Sequence, residues 1–168
     1  MKMHRSLFDS VTPSLMVALL GAVVWGHAAP ARAASFTSTV SVSVSGTLTT
    51  TSPAGTAESV SFSGIVQVKA VIVEDPDFGT PPIILLSFDL SGVTGVDAAT
   101  GTKFVTSNVT RIQRRLTQRT DAVQFSFPFW PSGTTGITTS RVGGTSFSLS
   151  FDVLKRMLAN ATGSIANP

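Results

Sequence analysis

From Phe36 to Leu48 the chain alternates. Apolar side chains stand at Phe36, Val40, Val42, Val44 and Leu48, and every odd position between them is Ser or Thr. Successive strand side chains point to opposite faces, so this period of two predicts a strand with one buried and one hydroxyl-covered face. The same pattern returns with Val60, Phe62, Val66, Val68, Ala70 and Ile72, interrupted at Gly64, which marks a bulge or bend. A third run places Ile84, Leu86, Phe88 and Leu90 inward, with Ser87 and Asp89 outward. Val123, Phe125, Phe127 and Phe129 share a fourth face, and Pro128, which has no N–H, puts that strand at an edge or a strand end. Phe147, Leu149, Phe151 and Val153 predict a fifth.

Between these runs the pattern is weaker. "TTSPAGTAES" and "SGVTGVDAATG" read as turns, and "TKFVTSNV" as a short strand. "TRIQRRLTQRT" fits a helix through Val109, Ile112 and Leu116, or an edge strand. Residues 153–160 fit a short helix capped by Asp152, or the turn of a hairpin. Two echoes favour the hairpin: "LSFDL" at 86–90 returns as "LSFDV" at 149–153, and "AATGT" at 98–102 as "NATGS" at 160–164. Seven or eight short strands with turn signals between them predict an antiparallel β-sandwich, immunoglobulin-like or jelly-roll-like. An outer-membrane barrel would want aromatic girdles, which one Trp and no Tyr after residue 33 do not supply.

The first 33 residues change the chemical picture. Lys2 and Arg5 precede an apolar run, Leu15–Trp25, shorter than the roughly 20 residues of a membrane span. "ARAAS" then offers small residues at Ala31 and Ala33. This is the pattern of a secretory signal helix cleaved after Ala33. The expected organisation is a signal peptide over 1–33 and one domain over 34–168, secreted or periplasmic, with no membrane span after cleavage. The domain then keeps nine basic and eight acidic residues, and no His or Cys. That balance gives no reason to expect nucleic acid as a partner. Disulfides, His/Cys metal sites and Ser-His-Asp or Cys-His catalysis are excluded within residues 34–168.

Three stretches remain as candidate chemistry. Glu74, Asp75 and Asp77 cluster in "EDPDFG", and three carboxylates on a turn could hold calcium; no cofactor is otherwise expected. They suit a polar connection between strands better, since the stretch does not match an EF-hand loop. Trp130 is out of phase with the phenylalanines before it, so Trp130 and Phe129 could offer a flat aromatic surface to a sugar ring. Arg111, Arg114, Arg115 and Arg119 gather four of the nine basic residues into nine positions and suit an anionic surface polymer. The expected function is therefore non-enzymatic binding of a glycan or surface partner. The alternatives are a structural or adhesive surface subunit and a carboxylate-dependent hydrolase, the last without assigned residues.

Overall fold

A computed structural model describes residues 33–106, 109–134 and 139–168; the expected signal segment lies outside the described residues but for Ala33. The strands are β1 Ala34–Thr51, β2 Ala57–Glu74, β3 Ile83–Asp89, β4 Val93–Asp97, β5 Lys103–Val105, β6 Val109–Arg115, β7 Thr120–Pro131, β8 Arg141–Asp152 and β9 Met157–Ala166. A single 3-10 turn, Pro76–Phe78, is the only helical element among the described residues. Every ladder is antiparallel.

The two long opening strands are a hairpin paired along their whole length, from Ala34↔Glu74 to Thr51↔Ala57. The other edge of β2 is divided. Residues 60–64 pair with β4, and residues 67–73 pair with β3. The handover falls at Gly64, where an added Cβ would lie 2.2 Å from the Gly92 carbonyl oxygen. Only a residue without a side chain lets the Gly92–Val93 backbone this close, so the irregularity expected at Gly64 is real. β3 pairs with β6, while β4 continues through β5, β7 and β8 to β9.

The alternating positions make one core. Val60, Val66, Val68 and Ala70 of β2 are fully buried, as are Phe88 of β3 and Val123, Phe127 and Phe129 of β7. Phe62 meets Phe127 and Phe129 edge-on, at 6.0 and 4.9 Å between centroids. Phe88 packs on Phe125 and Phe147 at 5.1 and 4.8 Å. Each such pair contributes about 0.5–1.5 kcal/mol beyond the area it buries. These rings join strands that no ladder joins directly among the described residues. β1 and β9 lie side by side without a ladder between them among the described residues. Two side chains span that seam: Ser38 Oγ accepts from Leu158 N at 2.8 Å, and Asn167 Oδ1 accepts from Thr49 N at 2.9 Å.

Neither undecided segment is a helix. Residues 109–115 form β6, and residues 153–156 are the turn between β8 and β9, with Arg156 at φ 53°. Val153, expected inside, is 48% exposed because β8 ends one residue before it. The first echo is structural. Asp89 Oδ1 accepts from Ser91 N, and Asp152 Oδ1 from Lys155 N, so each "LSFD" ends a strand and caps the turn that follows. The second is not: residues 98–102 form the β4–β5 turn, whereas 160–164 lie within β9.

Candidate functional site

Two of the three carboxylates of "EDPDFG" have separate tasks. Glu74 closes β2, and its Oε1 accepts from Arg156 Nε at 2.6 Å. The same guanidinium lies over the Phe36 ring, 4.8 Å from its centroid. Asp75 is the N-cap of the 3-10 turn, where its Oδ1 accepts from Asp77 N at 2.9 Å. Gly79 follows at φ +68°, a left-handed conformation that favours glycine, and its N–H closes the turn on the Pro76 carbonyl. Among the described residues no three acidic, His or Cys side chains are gathered as a metal would need. Local hydrogen bonds thus account for Glu74 and Asp75.

The aromatic pair is divided by the pleat. Phe129 is wholly buried against Phe62 and Phe104. Trp130 points the other way and is half-buried where β7 meets Val105 of β5. Pro128 is exposed on a stretch of β7 whose second edge carries no ladder among the described residues, in keeping with its missing N–H.

The pleat also divides the arginines. Ile112 turns inward and packs against the core, so Arg111, Gln113 and Arg115 share the outer face of β6. Arg114 lies on the inner side at the rim, 3.8 Å from Asp121, and Arg119 stands exposed in the turn to β7. Register then assembles an outer surface across three strands. Lys69, Ser87 and Arg111 form one row, and Val71, Leu85 and Gln113 the next. Leu85 is 43% exposed in an open groove lined by these side chains. The groove therefore has an apolar floor, Val71 and Leu85, beside the row that carries Lys69 and Arg111. Trp130 belongs to a different surface, since β3, β2, β4 and β5 separate β6 from β7 along the ladder path.

Two polar centres escaped the sequence reading. Arg141 opens β8 and is 8% exposed. It forks onto Glu58, with Nε and Nη2 each 2.6 Å from a carboxylate oxygen, and its Nη1 donates to the Thr139 carbonyl. Its guanidinium also lies 5.1 Å from the Phe104 centroid. The partners are 83 residues apart, so no local motif marks them. Asp97 is 2% exposed at the end of β4. Oδ1 accepts from the main-chain N–H of Ser59 and Ala99, and Oδ2 from the N–H and hydroxyl of Thr100. The Thr100 hydroxyl, first, and these N–H groups hold its carboxyl below the ordinary carboxylate pKa against the opposing effect of burial. "DAATG" was legible as a turn; that its Asp faces inward was not.

Comparisons with protein-family models, with characterised proteins and with solved structures found no match.

Proposed function

We propose that the chain is an exported, non-enzymatic β-sandwich that binds an acidic polysaccharide on the outer face of β2, β3 and β6. The leader pattern over residues 1–33 supports export to the periplasm or beyond. Among the described residues no helix is long and apolar enough to cross a membrane. A sandwich is supported by the core, where β2 and β3 face β7 and β8 through Phe62, Phe88, Phe127 and Phe147. The binding reading rests on one observation: the row of Lys69 and Arg111 runs beside an apolar floor of half-buried Val71 and exposed Leu85 in one groove. Sugar C–H surface suits the floor, and carboxylate or sulfate groups suit the cations.

The test is a thermal melt of the purified chain with polygalacturonate, a sulfated polysaccharide and a neutral glucan. At about ten times Kd an acidic polymer raises the Tm by about 3–5 °C. The rise disappears in about 0.5 M NaCl and in a Lys69→Ala/Arg111→Ala variant. Equal shifts with the neutral glucan, or none with either acidic polymer, overturn the reading.

A second reading, a surface subunit that assembles through a sheet edge, is favoured by β6. It ends the ladder path, and among the described residues no strand pairs with its outer edge.

A further inference from the structure

We infer that the outer edge of β6 captures an extended acidic peptide segment by strand addition, with acidic residues four positions apart. This rests on the edge reading above and goes beyond it by naming the occupant. In an antiparallel ladder, alternate residues turn their main-chain N–H and C=O toward the partner strand, and the others turn them away. Leu116 N donates to the Pro82 carbonyl at 2.9 Å, one step beyond the pair Ile83↔Arg115. Arg114, Ile112 and Thr110 therefore bond toward β3, while Val109, Arg111 and Gln113 direct their N–H and C=O outward. The Arg115 carbonyl obeys the same alternation, since it accepts from Thr117 N on the side away from β3.

The groups aimed outward belong to residues whose side chains lie on the outer face. A strand added there sets one residue opposite Arg111 and another, four positions along, opposite Arg115. Acidic side chains at those two positions lie on the face of the Arg111 guanidinium and of the Arg115 guanidinium, whose Nη1 also donates to the Pro81 carbonyl at 3.0 Å. Three of the seven residues of β6 are arginine, and Lys69 lies two strands inward in the Arg111 row. A second copy fits poorly: antiparallel pairing of β6 with itself about Gln113 sets Arg111 against Arg115, and like charges opposite each other destabilise a ladder. β1 and β9 of a second copy contain no acidic residue to offer instead.

The test uses the purified chain and a synthetic nonapeptide rich in Val and Thr, with two glutamates four residues apart. Its binding is read by fluorescence polarisation. Replacing both glutamates with glutamine weakens binding by about tenfold or more. N-methylating the residues that face the edge, with the charges kept, weakens it by about tenfold or more as well. Arg111→Ala reproduces the loss without lowering the Tm of the free chain. Equal binding of the N-methylated peptide means charge alone holds it, which overturns both the inference and the edge reading. Equal binding of the glutamine peptide, with the N-methylated one still weak, leaves the edge reading standing and overturns the acidic occupant. No binding by either unmethylated peptide overturns both. Self-association of the chain that competes with the peptide makes a second copy the occupant and overturns the inference.

Discussion

Arg141 and Glu58 show how one pair of residues can hold two distant segments together. Their side chains are 7% and 15% exposed, so both charges have left most of their water. The fork geometry, the Thr139 carbonyl and the Phe104 ring offset that loss. Removing one partner leaves the other charge nearly dry. Arg141→Met is therefore expected to destabilise the fold by about 3–5 kcal/mol in urea titrations. The double variant Glu58→Leu/Arg141→Met recovers most of that loss, because buried pairs exchanged for apolar groups are often neutral or better. A double variant no more stable than the single one would show that the pair contributes more than mutual neutralisation. No sequence pattern marks these two residues, since the partnership exists only after β2 and β8 are placed. The local capping roles of Asp75, Asp89 and Asp152 need only their own turns.

At the scale of elements, alternation was legible wherever apolar residues mark the buried face. It located most of β1, β2, β3, β7 and β8. It missed β4, whose inward positions are Val93, Gly95 and Asp97. Gly95 is inward because Phe62 and Val60 already fill the space its side chain would take, with an added Cβ only 2.7 Å from each. Asp97 is inward because four donors meet it there. Neither reason is visible in hydrophobicity. The seam of β1 and β9 is a second feature set by packing. Gly46 lies in a strand of ordinary alternation, yet an added Cβ would sit 1.8 Å from the Ile165 carbonyl oxygen. Backbone cannot yield as a flexible side chain can, so Gly46→Ala should cost about 1–3 kcal/mol or more. Gly55→Ala supplies the comparison: its φ of +85° brings strain, but nothing lies within 4 Å. Measured side by side, Gly46→Ala must be the more damaging; equal losses would mean that β1 and β9 separate at little cost.

At the scale of the whole molecule, the class and the core followed from the strand pattern, while the ladder order did not. The order depends on the division of β2 at Gly64 and on the turn of the path through the three-residue β5. One global property follows from composition and capping together. Residues 34–168 contain no histidine, so no side chain there has an ordinary pKa between about 5 and 8. Three aspartates titrate below their ordinary value. Asp89 is held down by the Ser91 N–H, Asp97 by the Thr100 hydroxyl, and Asp152 by the Lys155 N–H. A carboxyl whose folded pKa is depressed binds its proton more readily in the unfolded chain. Its contribution is fully present above the unfolded value of about 3.9 and is lost as pH falls through the folded value. The Tm of the purified chain should therefore be nearly flat from about pH 5 to 8 and fall below about pH 4. Asp97→Asn separates this cause from general charge repulsion. The amide retains one acceptor but turns an N–H₂ toward the donors of Thr100, so the Tm drops at neutral pH, and the acid fall becomes shallower because one linked proton is gone. An acid limb unchanged in slope would assign the fall to the other carboxylates.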